Sequence, residues 1–197
     1  MFCRIASLRI GRRAAIRGVA ATLLLGASGI GFPVPLELHA QFSLRGLDGR
    51  GVTERSYPGR WLLVYFGYTF CPDVCPTVLI KVGHVLESLG PLQGRLQPIF
   101  ITVDPARDTE QHLRQYLTAF NSHIVGLRGD GSQLAAAARQ FHVYYRERGV
   151  GNGDYAIDHS SYLYVVAPNG RLVRVLPDSL PQVQMTAELR QLMQATP

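Results

Sequence analysis

Residues 61–77, WLLVYFGYTFCPDVCPT, constrain the fold of this chain more than any other stretch. Residues 62–66 are an unbroken apolar run of aromatic and β-branched side chains, the pattern of a strand covered on both faces. Such a strand needs layers above and below it, which points to an α/β sheet with flanking helices. Gly67 ends the run, and Cys71 and Cys75 come next, four residues apart. That spacing is about one helical turn, so a helix starting here can bring both sulfurs onto one face. Pro72 and Pro76 suit a first helical turn, where a missing N–H costs little.

Helix N-termini favour anions and lower thiol pKa values, and the thiolate is both the nucleophile and the metal ligand. Two adjacent thiolates can close to a disulfide, hold a soft metal, or alternate between these states. A structural disulfide or two buried thiols is the plainer alternative. The third cysteine, Cys3, lies in the leader. Cys71 and Cys75 are thus left to pair with each other, bind metal or react with a partner.

The net charge of +6 over 197 residues would ordinarily raise nucleic acid as a partner. Its distribution argues against that. Arg4, Arg9, Arg12, Arg13 and Arg17 precede the first acidic residue, Glu37, and the remainder of the chain is nearly neutral. A basic start and an uncharged stretch over residues 18–36 form the layout of an export signal or a short membrane anchor. Residues 1–40 are read as that leader and residues 41–197 as one folded domain. Either outcome places the domain outside the cytoplasmic membrane, on the periplasmic side, where cysteine pairs can be oxidised.

Along the domain, residues 42–60 read as a short hairpin around Asp48-Gly49. A helix over 77–89 carries Val78, Leu79, Val82, Val85, Leu86 and Leu89 at helical spacing and stops at Gly90-Pro91. A second buried strand over 96–103 leads into Asp104-Pro105-Ala106-Arg107-Asp108-Thr109. There Asp108 and Gln111 form a capping box for a helix over 109–120. Asp104, at the carboxyl end of a strand, is placed to orient groups in a site, and Arg107 to pair with either carboxylate. A short strand over 124–127 precedes a helix capped by Ser132 and running through Gln140. Residues 149–154, GVGNGD, read as an exposed, mobile loop. His84, His112, His123 and His142 lack metal-ligand partners at suitable spacing and read as surface or packing residues.

His159 falls at the entry to the apolar strand 162–166, with Asp158 beside it to orient the ring. Pro168-Asn169-Gly170 turns the chain into a partner strand over 172–176, and a last helix over 186–193 covers the sheet. The succession of elements predicts one α/β domain with a mixed central sheet.

Three blocks carry a family resemblance: GYTFCPDVCPT (67–77), VDPARDT (103–109) and DYAIDHSSYLYVVAPNG (154–170). In order and spacing they closely resemble the signature blocks of the Sco (SenC) copper-chaperone family, and the likeness runs from about Phe42 to the carboxyl terminus. The resemblance implies a thioredoxin-like fold, a mixed sheet flanked by helices, that binds one copper ion through Cys71, Cys75 and His159. It implies delivery of copper to the binuclear centre of cytochrome c oxidase subunit II, or reduction of the cysteines there. Other copper chaperones or thiol reductants would then be further partners.

Two thiolates suit Cu(I), and an added imidazole gives a set that also holds Cu(II). Zinc is the chemical rival for the same donors, so the preference for copper rests on the resemblance. Asp73, Asp104, Asp108 and Asp158 are the carboxylates expected to support the ligands from behind. Oxidation of Cys71 and Cys75 to a disulfide would remove both thiolate ligands at once. The competing reading is an extracytoplasmic thiol-disulfide oxidoreductase, or a thiol peroxidase with Cys71 as nucleophile and Cys75 as resolving thiol.

Overall fold

A computed structural model describes residues 38–195 of the chain. The leader reading falls on residues 1–40 and so lies almost wholly outside the described residues. The described chain starts along the turn at 167–171: His39 bridges Arg171, and the Ala40 N–H donates to the Gly170 carbonyl. The expected hairpin comes next as β1 (Ser43–Gly46) and β2 (Gly51–Thr53). Its turn contains Gly49 at φ +78°, a conformation open to glycine at little cost.

The strand β3 (Trp61–Gly67) is buried at every residue, as its composition requires. Helix α1 (Val74–Leu89) begins three residues before the expected start. Cys75 therefore lies in its first turn, and Cys71 in the loop ahead of it. Gly90, at φ +56°, ends the helix. Strand β4 (Leu96–Thr102) is again buried throughout and pairs parallel with β3, Trp61 opposite Leu96 and Gly67 opposite Thr102.

Helix α2 (Glu110–Thr118) is capped by Thr109, whose side chain accepts from the His112 N–H. The expected capping role of Asp108 is thereby corrected: its carboxylate is fully buried and engaged elsewhere. Strand β5 (Val125–Arg128) leads to α3 (Gly131–Gln140). The cap of α3 is Asp130 in a capping box with Gln133, not Ser132, because the Asp130 carboxylate accepts from both the Ser132 and Gln133 N–H groups.

The stretch expected as a loop is a second hairpin. Strands β6 (Tyr145–Gly151) and β7 (Asp154–His159) pair with each other and with no strand of the main sheet. Asn152 (φ +54°) and Gly153 (φ +78°) form its turn, the two left-handed positions of a type I′ hairpin. His159 is the last residue of β7 rather than a loop residue.

Strands β8 (Tyr162–Val166) and β9 (Leu172–Pro177) and helix α4 (Gln182–Ala195) complete the fold. The seven-stranded sheet has the order β2-β1-β5-β4-β3-β8-β9, with β3, β4 and β5 parallel and the remaining pairs antiparallel. This is the mixed sheet the succession of elements predicts. On one face, α1 packs against α4 and receives Tyr65 and Gly67 of β3. On the other, Phe141 at the end of α3 stacks edge-on with Phe66 and Tyr164 and tilts against Phe42.

Candidate metal centre

The parallel strands β3 and β4 deliver their carboxyl ends to one edge of the sheet, and the site is built there. Cys75 is fully buried on the first turn of α1, while Cys71 is half-buried in the preceding loop. The Cys75 N–H donates to the Cys71 sulfur at 3.4 Å, so the start of the helix holds that sulfur. His159, 84 residues downstream, puts Nε2 3.7 Å from the Cys75 sulfur. One donor atom from each of the three residues lies within 4.8 Å of the others. Bonds of about 2.0–2.3 Å to one ion separate two donors by at most about 4.6 Å, so little movement is needed to close the group on a metal.

Gly67 makes this arrangement possible. A Cβ at position 67 would lie 2.9 Å from the Cys75 sulfur and 3.0 Å from the Phe100 ring, closer than packed atoms approach. The end of β3 is thus the floor on which the buried sulfur rests. Tyr65, on the same strand face two residues earlier, donates its hydroxyl toward the Cys75 sulfur at 3.7 Å. Its oxygen also lies 3.4 Å from the Ser161 hydroxyl, which donates to Asp178. The sequence pattern places Tyr65 only within a core strand. The period-two alternation that sets it on the Gly67 face is the available signal.

The two thiols differ electrostatically. The Cys71 pKa is held far below its ordinary value, chiefly because the Cys75 thiol donates to it. His159 and the Cys75 and Asp73 N–H groups add to that effect, and partial burial opposes it. The Cys75 pKa is pushed up by the same pairing and by burial. The pairing thus favours the charge on Cys71 and the proton on Cys75. Such a set is ready for a soft cation once the second proton leaves, and it also matches a nucleophile and resolving-thiol pair.

His159 is held edge-on by two rings, Tyr68 with centroids 5.8 Å apart and Tyr65 at 6.3 Å. Its Nδ1 lies 3.0 Å from the Ser160 carbonyl, which can only accept, so Nδ1 carries a proton and Nε2 is the nitrogen that faces the sulfurs. Asp158, expected beside the ring, points outward on the β-hairpin and accepts from Arg148 at 3.2 Å. Adjacent strand residues face opposite sides, which separates the two.

The other three carboxylates take different places. Asp73 is exposed; its side chain makes no cap bond, and its carbonyl accepts from the Thr77 hydroxyl. Asp108 accepts from the Thr69 N–H at 3.1 Å and from the Thr69 and Thr102 hydroxyls at 2.6 and 2.5 Å. It ties the loop before Cys71 to the end of β4. Burial pushes its pKa up against those hydrogen bonds. Asp104, also buried, pairs with Arg107 at 2.5 Å and accepts from the Tyr155 hydroxyl at 2.9 Å. His84, His112, His123 and His142 are all exposed, and none enters the group.

Comparison with known proteins agrees with this geometry. The model of the SCO1/SenC family matches residues 34–194. The chain is 38% identical over 134 residues to Protein SCO1 homolog 1, mitochondrial, of Arabidopsis thaliana, covering 68% of this chain and 40% of that protein. It is 37% identical over 139 residues to the mitochondrial SCO1 homolog of Homo sapiens, covering 69% and 46%. The matches thus span less than half the length of these two relatives. Among solved structures, Arabidopsis thaliana ScoI with copper bound superposes with a TM-score of 0.75 at 33% identity, covering 80% of this chain and 99% of that one. Yeast Sco1 with copper bound gives 0.75 at 34%, covering 82% and 91%. The fold is thioredoxin-like, as expected, and the chain belongs to the SCO1/SenC family.

Proposed function

We propose that this chain is a copper metallochaperone. It holds one copper ion through Cys71, Cys75 and His159 and supports assembly of the binuclear copper centre of cytochrome c oxidase subunit II. The observation that carries the reading is the convergence of two sulfurs and one imidazole nitrogen within 4.8 Å at the carboxyl edge of a sheet. Solved relatives with copper bound add weight to copper over zinc. The two sulfurs supply the soft donors that Cu(I) prefers, and His159 supplies the donor that extends the set to Cu(II).

Loading displaces the Cys75 proton, so metal affinity falls as pH falls. Unloading is coupled to redox state: oxidation of the two thiolates to a disulfide releases two electrons to an oxidant and leaves no thiolate for the ion. We place the domain outside the cytoplasmic membrane, with residues 1–40 as export signal or anchor.

The thiolate and thiol asymmetry also favours a second reading, a thiol-disulfide oxidoreductase or peroxidase with Cys71 as nucleophile. Copper titration of the reduced protein, comparing wild type with Cys71→Ala, Cys75→Ala and His159→Ala, separates the two. The metallochaperone binds one copper, and all three variants lose the thiolate-to-Cu(II) absorption. An oxidoreductase keeps its thiol chemistry in His159→Ala and shows no stoichiometric copper site.

A further inference from the structure

One side chain ties together the two halves of the metal group, and neither half contains it. Arg107 lies in the turn between β4 and α2, its side chain only 18% exposed. Its Nε donates to Asp104, and its Nη1 donates to the Asp154 carboxylate at 3.1 Å and the Tyr155 carbonyl at 2.8 Å. The guanidinium carbon stands 3.7 Å from the Tyr155 ring centroid, 4.7 Å from that of Phe70 and 5.9 Å from that of Tyr68. Phe70 adjoins Cys71, whereas Asp154 and Tyr155 begin the strand that ends in His159. The guanidinium is therefore wedged between the cysteine loop and the histidine hairpin.

Besides Arg107, the hairpin is held by the Tyr155 hydroxyl on Asp104 and by the partly buried Tyr145 and Tyr155 rings against the core. Its two strands pair only with each other, and six of the seven residues of β6 are exposed. Of its strand residues only Ile157 is buried, with its N–H donating to the Tyr68 hydroxyl at 3.3 Å. A planar cation that stacks on rings while making forked hydrogen bonds suits this place better than a lysine would.

We propose that Arg107 is a positioning residue that latches the β6–β7 hairpin onto the cysteine loop and thereby sets where His159 stands. The latch acts on the imidazole and not on the sulfurs, which the start of α1 and Gly67 hold independently. Its consequence for metal rests on the copper reading above: loss of the latch should weaken the histidine-dependent Cu(II) state far more than the two-thiolate Cu(I) state.

The first readout needs no metal. Amide hydrogen exchange of the reduced, metal-free full chain is compared in wild type, Arg107→Gln, Arg107→Lys, the double variant Asp154→Asn/Tyr155→Leu, and Arg148→Gln. Exchange over residues 154–159 should quicken at least about tenfold in Arg107→Gln and in the double variant. Arg107→Lys should fall between, and Arg148→Gln, which loses only the exposed Arg148–Asp158 pair, should match wild type. Exchange in β3 should stay unchanged. The double variant removes the Asp154 charge and the Tyr155 ring from the hairpin's side, keeping the Tyr155 carbonyl and Arg107 on Asp104, so the test survives if Arg107→Gln fails to fold. Unchanged exchange over 154–159 in the double variant, or quickening spread equally over β3, overturns the latch. The second readout is Cu(II) dissociation, expected about tenfold faster in the same two variants with Cu(I) affinity retained. If wild type binds no copper the functional reading fails, while the exchange result still decides the latch.

Discussion

At Cys71 and Cys75, placement just outside or just inside the helix separates a thiolate from a thiol. Cys71, outside α1, receives the Cys75 N–H; Cys75, inside it, is fully buried against Gly67. A lowered pKa keeps Cys71 charged well below the usual thiol range, and a raised one keeps Cys75 protonated through neutrality. Iodoacetamide at pH 6 should therefore modify Cys71 at least about tenfold faster than Cys75 in the reduced protein, as read by peptide mass spectrometry. Gly67 has its own test. Gly67→Ala forces a methyl into the space of the Cys75 sulfur, and overpacking of this kind costs about 1–3 kcal/mol. Chemical denaturation should show that loss, together with weaker metal binding, because the sulfur is displaced from the group.

Asp108 shows how an element can be held at its end by a residue whose sequence context suggests a cap. Its carboxylate joins the loop before Cys71 to the end of β4 while burial raises its pKa. A carboxyl whose pKa is raised on folding contributes stability that is fully present below the unfolded pKa of about 3.9 and is lost as pH rises through the folded value. Asp108→Asn does not titrate there. Its stability relative to wild type should rise from pH 4 towards pH 7, whatever constant offset the amide introduces, and urea unfolding at the two pH values measures it.

The same element shows what is legible in sequence. Strands β3, β4 and β8 are readable because burial on both faces leaves a continuous apolar run. The caps are not, because Asp108-Thr109 and Asp130-Gly131-Ser132 each offer more than one competent residue, and tertiary burial chooses between them. Residues 149–154, the tip of the β6–β7 hairpin, read as a loop because β6, exposed on both faces, carries no alternation. Arg146, Glu147 and Arg148 give none, and only Asn152-Gly153 marks the turn. His159 enters the candidate site through family resemblance, since no spacing rule links it to a cysteine 84 residues away. The ring contacts of Arg107 have no sequence signal at all.

For the molecule as a whole, a ligand that binds the folded reduced state stabilises it by mass action, about 2.7 kcal/mol at a free concentration one hundred times the dissociation constant. Copper should therefore raise the Tm of the reduced protein by about 5–10 °C, given about 2–4 °C per kcal/mol for a chain of this size. The Cys71–Cys75 disulfide form should show no such rise, and calorimetry of the two forms checks both statements. The entry of the chain into the domain carries a further consequence. Ala40 meets Gly170 at the β8–β9 turn, and β8 runs antiparallel to β3, so Val166 lies opposite Leu62 and the turn stands at the end where β3 begins. The sulfurs stand at the other end, past Gly67, about 23 Å away along seven residues of strand. A tether attached at the first residues of the domain would hold it by its base, like a lamp on a stem, and leave the metal group at the end farthest from the point of attachment.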